Sequence, residues 1–270
     1  MDLSIVILNY KQAGLIKYCL RGIKNANLSL KYEIIVVDNN SGDNCLKMVN
    51  DFYPDVVTVA APKNSGFAAG NNLGIQRSRG RYVLILNPDV VIIRGKIEKM
   101  MEFADKNLKA GIIGPKLINA DGSLQYSCRR FFKWRVPIYR RTFIGRYNFA
   151  KRDLDDYLMR CWDHNHDAKV EWLFGACLLI RRELIDKIGF LDERFFMYFE
   201  DADYCRRCWE SGMEVWYLAS VELIHYHHQQ SAEKVGLMSL LNKATLIHVN
   251  SAIKYFIKYF KKKTPLDVFK

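Results

Sequence analysis

The segment Phe199-Glu200-Asp201-Ala202-Asp203 places three carboxylic acids close together, directly after the aromatic run Phe195-Phe196-Met197-Tyr198. Carboxyl groups against an apolar wall lose hydration, which raises their pKa and makes one of them a competent base toward a substrate hydroxyl. Acids at a helix start also serve as partners of the helix dipole, and that role accounts for at least one of the three. A further acid, Asp89, closes Asn87-Pro88-Asp89 after the apolar run Tyr82 to Leu86, and a histidine-rich stretch, His225-Tyr226-His227-His228, lies late in the chain. One carboxylate plus an imidazole suits Mg2+ or Mn2+ carrying a diphosphate, whose oxygens and water complete the shell. An Asp in a proline turn is ordinarily structural, and the histidines equally suit a surface cluster or a strand end, so the ligand reading stands beside the structural one.

Asp38 follows the apolar run Ile34-Ile35-Val36-Val37. There its carboxylate can accept hydrogen bonds from a base or a ribose, and a turn or helix-cap role suits the same residue. In Asn64-Ser65-Gly66-Phe67-Ala68-Ala69-Gly70-Asn71-Asn72-Leu73-Gly74 the glycines recur four apart and leave one bare helical face. Another stretch of backbone, or a ligand's ribose and phosphates, approaches that face closely. The pattern is neither Gly-x-Gly-x-x-Gly nor a P-loop, which removes support for hydride transfer and ATP hydrolysis. Cys205 and Cys208 form a Cys-x-x-Cys inside a predicted helix, without a second pair, and read as structural rather than as a zinc or redox site.

These residues need elements to hold them. Short β-branched runs alternate with amphipathic segments over the first hundred residues, the pattern of parallel strands covered by helices. Strands are predicted over Leu3 to Leu8, Glu33 to Val37, Val56 to Ala60 and Tyr82 to Leu86, with a helix carrying Leu15, Ile16, Cys19, Leu20 and Ile23. In such a Rossmann-like sheet ligands gather at the carboxyl ends of the strands, which here carry Asn9-Tyr10, Asp38-Asn39-Asn40-Ser41 and Asn87-Pro88-Asp89. Parallel order is expected to end after Gly114, with Asp121-Gly122 as the turn of a hairpin. Residues 129–169 read as a long, partly helical insertion, Trp172 to Ile180 as one buried strand, Asp201 to Ser211 as a helix closed by Gly212, and Ala232 to Lys263 as mostly helical.

With 270 residues, half of them hydrophobic, the chain can bury a full core. Its longest apolar stretches fall short of a membrane span, and the N-terminus runs straight into a strand, so a cytoplasmic protein without a transmembrane segment is expected. Seven scattered cysteines suit reduced thiols. The net charge of +12 favours polyanions. Part of it sits in residues 251–263, where lysines alternate with aromatic and aliphatic residues; this suits a helix on an anionic membrane surface, and a domain-packing helix equally.

The motifs, in order, resemble the family-2 glycosyltransferases of the GT-A fold, particularly the bacterial rhamnosyltransferase branch. The matching pieces are Ser4 to Tyr10, Val36 to Ser41, Asn64 to Asn72, Leu86 to Asp89, Phe174 to Arg182, Gly189 to Glu193, Glu200 to Asp203 with Arg206, and Ile224-His225-Tyr226 with His228 and Ser231. The resemblance implies an α/β GT-A domain over residues 1–231, with a nucleotide-binding half (1–114) and an acceptor half (115–231), followed by a basic helical tail (232–270). It implies an inverting enzyme that takes a dTDP- or UDP-linked sugar, rhamnose foremost, to a glycan acceptor; a membrane-surface tail would fit such an acceptor carried on a lipid diphosphate at the inner face of the plasma membrane. Leu8, Asn9, Tyr10, Asp38, Asn40, Asn64, Gly66, Phe67, Asn71, Asn87 and Gly175 would line the donor. Asp89 and His225 would hold Mg2+ or Mn2+, and Asp201 would be the base with Glu200 or Asp203 in support. One departure stands out: the general Asp-x-Asp of the family reads Asn87-Pro88-Asp89 here, as in the rhamnosyltransferase-like branch. A nucleotidyltransferase would need a basic glycine-rich loop that Leu8 to Gly14 lacks, and a basic RNA- or membrane-binding module would leave the polar strand ends without a role; no nucleic-acid partner is expected.

Overall fold

The computed structural model describes residues 1–226 and 243–265. Strand β1 (Leu3–Asn9) shows why the sheet is two-sided: Leu3, Ile5 and Ile7 enter one hydrophobic cluster and Val6 the other. The first cluster is closed by α1 (Ala13–Ala26), α2 (Cys45–Phe52) and α4 (Lys96–Lys106), and the second by α3 (Gly66–Arg77), α7 (Arg182–Ile188) and α8 (Glu200–Glu210). On α1, Ile16, Cys19, Leu20 and Ile23 are buried as their spacing predicts. Each such aliphatic side chain contributes about 1.5–3 kcal/mol.

β1 pairs in parallel with β2 (Tyr32–Asp38) and β4 (Tyr82–Leu86), and β2 with β3 (Val57–Ala60). The predicted parallel half is therefore present, with its strand ends on one edge. Beyond β4 the sheet turns mixed in the order β4, β10 (Cys177–Arg181), β6 (Ala110–Ile118), β11 (Glu214–His225), β5 (Val90–Val91). β10 runs antiparallel to both neighbours, whereas β6 and β11 are parallel. Parallel pairing thus returns after Gly114, and β6 straddles the expected boundary between the two halves.

The predicted strand Trp172 to Ile180 is two strands. β9 (Trp172–Leu173) pairs with β7 (Cys128–Arg129) in a separate ribbon, and β10 joins the main sheet. The break at Phe174-Gly175-Ala176 has a physical cause: the N–H of Phe174 donates to Ser127 O, extending the β7–β9 ribbon, and that of Gly175 to a side chain of α8, so neither feeds the main sheet. The 129–169 insertion is partly helical, with α5 (Val136–Arg141) and α6 (Asn148–Tyr157). At Asp121-Gly122 the chain turns as expected, closed by an Ile118–Leu124 bridge. Cys205 and Cys208 lie inside the second cluster, where burial pushes both thiols up in pKa.

Helix α9 (Lys243–Lys258) buries Thr245, His248, Ser251, Ala252 and Tyr255, and Ala252 and Tyr255 share the core cluster of α8. Two of its lysines face inward. Lys254 Nζ donates to Arg194 O, and Lys258 pairs with Asp192 and Asp203. The basic face expected over 251–263 is accordingly reduced to Lys261, Lys262 and Lys263, which are exposed. Among the described residues no helix is long and apolar enough to cross a membrane.

Candidate active site

At the carboxyl end of β1, Asn9 is fully buried and works as a bracket. Its Nδ2 lies 2.7 Å from Asp38 Oδ1, 3.0 Å from Ser41 Oγ and 3.1 Å from Asp43 Oδ1, and its Oδ1 accepts from Gln12 N–H. Asp38 stays half-buried at the strand end, with Oδ2 accepting from Ser41 N–H. Asn9 therefore orients Asp38 from beneath. Asn40, beside it, is exposed and left-handed (φ 58°), and Tyr10 is exposed. Two bracket residues escaped the sequence reading. Asp43 caps α1 by accepting from Ala13 N–H, and buried Asn39 ties Asn64 Oδ1, Gly66 O and Ser65 N–H together. Asn39 sits inside the polar run Asp38 to Ser41, where nothing local reveals that it faces inward.

The bare glycine face of α3 meets protein. A Cβ at Gly70 would strike Leu8, and one at Gly74 would strike Val6 and Val37, so close helix-to-sheet packing explains both. Gly66, at φ 90°, abuts the main chain of Phe196, whose carbonyl accepts from Phe67 N–H at 2.6 Å. This contact carries the aromatic run before α8 to the donor edge. Asn71 is buried, with Nδ2 donating to Phe67 O; its Oδ1 has no hydrogen-bond partner among the described residues. Asn64 Oδ1 accepts from Gly66 N–H, and Asn87 N–H donates to Ala176 O at 2.8 Å, joining the end of β4 to the start of β10.

Because β11 runs antiparallel to β5, His225 lies opposite Val90, one residue from Asp89. Its Nε2 is 3.2 Å from Asp89 Oδ1, while Nδ1 is 2.8 Å from Gln125 Oε1. Asp89 Oδ1 is buried without a hydrogen-bond partner among the described residues. The pair fits a hard divalent cation: two ligands about 2.1 Å from an octahedral ion, at right angles, stand about 3 Å apart. Among the described residues no third His, Cys, Asp or Glu joins them, which leaves the remaining positions to phosphate and water. His227 and His228 lie outside the described residues.

The three acids of α8 part company. Asp203 is fully buried toward α9, where Lys258, Tyr259 Oη and Arg207 all contact its carboxylate. Asp201 faces the break in front of β10: its Oδ2 accepts from Gly175 N–H at 3.0 Å and its Oδ1 from Ala202 N–H at 2.8 Å. Glu200, also buried, keeps Oε2 without a hydrogen-bond partner among the described residues. Burial raises the pKa of both Glu200 and Asp201. For Glu200 the charge of Asp201 adds to the rise, whereas the two N–H donors and the Arg129 guanidinium oppose it at Asp201. The charged form is therefore opposed at Glu200 by burial and by the neighbouring charge, whereas at Asp201 fixed donors and a cation favour it. Arg129, stacked among Tyr157, Trp172 and Phe174, had no sequence signal beyond the arginine-rich composition of its segment.

The entry to α8 is strained. Tyr198 and Phe199 both lie at φ 70°, a conformation that costs a bulky residue about 1–3 kcal/mol. It is held from α9, where Ser251 Oγ donates to Met197 O and the His248 ring packs 5.3 Å from Tyr198 and 5.2 Å from Phe199. Helix α9 thus supports the turn that aims Glu200 and Asp201.

Comparison with known proteins agrees with this geometry. The chain is 27% identical to the N-acetylglucosaminyl-diphospho-decaprenol L-rhamnosyltransferase of Mycobacterium tuberculosis over 251 residues, covering 82% of this chain and 77% of that one. It is 23% identical to rhamnosyltransferase WbbL of Escherichia coli K12 over 265 residues, 94% and 92% of the two chains. The solved structure of GalNAc-T7 with UDP, GalNAc and Mn2+ superimposes with a TM-score of 0.69 at 14% identity, covering 97% of this chain and 48% of that one. That likeness shows the GT-A fold. Residues 4–204 match the family described as Glycosyl transferase family 2, a span that takes in both the strand-end brackets and the acids of α8. The protein is a glycosyltransferase and belongs to family 2.

Proposed function

We propose that the enzyme transfers rhamnose, with inversion, from dTDP-rhamnose to a glycan acceptor carried on a lipid diphosphate, as one step in building a cell-surface polysaccharide. The observation that carries this reading is the meeting, at one sheet edge, of the Asp89–His225 pair with the buried carboxyl of Asp201, held by Gly175 N–H. Names of the similar rhamnosyltransferases support the donor and the lipid-linked acceptor.

In this reading Asp38 takes the nucleobase and ribose, and the Asn64 to Asn72 segment, which opens α3, lies along the nucleotide. Asp89 and His225 hold a divalent cation, which when bound neutralises charge on the departing diphosphate. Asp201 accepts the acceptor's hydroxyl proton as that oxygen attacks C1 of the sugar from the face opposite the nucleotide. The C1–oxygen bond to the nucleoside diphosphate breaks with its electron pair, and the anomeric centre inverts. Glu200, holding its proton, leaves Asp201 as the base.

A lipid-linked acceptor also suits the outer face of α9. Ile253, Ile257 and Phe260 stand exposed there, and with Trp134 and Ile138 they line an apolar groove of about 730 Å³. Attachment of this face to an anionic bilayer is expected to weaken in Ile257→Glu, read as less co-sedimentation with phosphatidylglycerol vesicles. Unchanged co-sedimentation would remove the membrane from the reading.

The transferase reading is tested with a panel of nucleotide sugars, with and without Mn2+, read by thermal unfolding. A donor at 100 times its Kd adds about 2.7 kcal/mol of stability. dTDP-rhamnose with Mn2+ is expected to give the largest shift. A larger shift from another sugar reassigns the donor, and no shift from any nucleotide overturns the reading.

A further inference from the structure

Gln125 belongs to the hairpin after β6 and meets β11 across a sequence separation of 100 residues. Its Nε2 lies 2.8 Å from the main-chain oxygen of His225 and 2.6 Å from Asn119 Oδ1. A carbonyl oxygen only accepts, so the NH2 end of the amide is fixed there. The assignment of Asn119 is fixed in turn. Ser123 Oγ donates its hydrogen to Asp121 Oδ1 at 2.6 Å and accepts from Asn119 Nδ2 at 2.8 Å, which leaves Asn119 Oδ1 as the acceptor. The chain from Asp121 through Ser123, Asn119 and Gln125 therefore has a single direction, and it ends with Gln125 Oε1 facing His225 Nδ1 at 2.8 Å.

An oxygen in that place demands that Nδ1 carry the hydrogen. A neutral ring then presents its Nε2 lone pair toward Asp89 Oδ1, 3.2 Å away. Free neutral histidine prefers the opposite tautomer, with hydrogen on Nε2, which would point a donor at Asp89 and close the site to a cation. The hydrogen bond at one ring nitrogen decides which nitrogen is open for ligation.

We propose that Gln125 is the positioning residue for the cation site: it holds His225 in the Nδ1–H tautomer, so that Nε2 and Asp89 together receive a divalent ion. This rests on the reading of Asp89 and His225 as metal ligands, and the two are separated by measuring the ring without metal. Long-range 15N–1H NMR on the metal-free protein at about pH 8, with His225→Gln for assignment, reads the tautomer; Mn2+ titration followed by EPR reads affinity. In the wild type His225 is expected as Nδ1–H. Gln125→Leu should move it largely to Nε2–H and raise the Mn2+ Kd about 10–100-fold. Gln125→Glu keeps an acceptor facing Nδ1 but loses the NH2 that donates to His225 O and Asn119 Oδ1, so it should retain the Nδ1–H form while losing stability. An unchanged tautomer in Gln125→Leu overturns the proposal, as does a shift to the Nε2–H form in Gln125→Glu, which marks a merely structural role. A wild-type protein that takes up no Mn2+ while its tautomer still responds to Gln125 fails the metal reading alone.

Discussion

Asp201 and Asp203 stand two residues apart on α8, both buried, yet they face different neighbourhoods. Asp203 is met by Arg207 of its own helix and by Lys258 and Tyr259, which neutralise it and tie α8 to α9 and the residue after it. Asp201 is met by two main-chain N–H groups, with Arg129 as the cation that lowers its pKa. Fixed dipoles hold a carboxylate in place while leaving it a lone pair for an incoming hydroxyl. A carboxylate engaged at three of its roughly four lone-pair sites by ammonium, guanidinium and phenol, and neutralised by two of them, is a poor base. The same side chain is thus a strut on one face of a helix and, in the proposed mechanism, a base on the other, and the partners decide which.

The sharpest way to break this contrast is to neutralise each acid. Asp201→Asn should cut transfer by about 10²–10⁴-fold while donor affinity, read by calorimetry, stays unchanged. Near-normal transfer would move the base elsewhere. Asp89→Ala, at the donor end, should lose the Mn2+-dependent part of donor binding, about 10–100-fold, with no change when both proteins are assayed in EDTA. Asp203→Asn inverts the pattern of Asp201→Asn. It strips a buried charge network, costs about 3 kcal/mol of stability in denaturant melts, and leaves transfer within about tenfold of wild type below its melting point. If stability holds and transfer collapses, the division between strut and base is wrong.

The smallest effect concerns Glu200. Its folded pKa is raised, so its contribution to stability is fully present below the unfolded carboxylate range and is lost as pH rises through the folded value. Glu200→Gln removes that penalty. The variant should melt above wild type at pH 8 and the gap should close toward pH 4, as checked by scanning calorimetry. The raised pKa of Asp201 carries the opposite sign for catalysis: transfer needs the ionised form, so activity should fall on the acid side at a pH above that of an ordinary aspartate.

Much of the donor edge was legible beforehand. Apolar β-branched runs ending in Asn9, Asp38 and Asn87 predict parallel strands, and parallel strands bring their polar ends to one edge whatever else the chain does. The glycine spacing was legible as a close approach, but whether protein or ligand approached it was not, since a missing Cβ looks the same from either side. Trp172 to Ile180 read as one strand because its apolar run is unbroken; the break at Gly175 arises from a hydrogen bond to Asp201, 26 residues away.

By itself, the sequence determined the Rossmann-like frame, the order of the strand-end motifs and the existence of an acidic helix start, because these follow from local periodicity and turn chemistry. Tertiary structure decided which acid meets Gly175 and which meets Lys258, which lysines turn inward from α9, and that Gln125 meets His225. Each of those depends on a partner distant in the chain, and the charge a buried group carries is set by the atoms that surround it rather than by its neighbours in sequence.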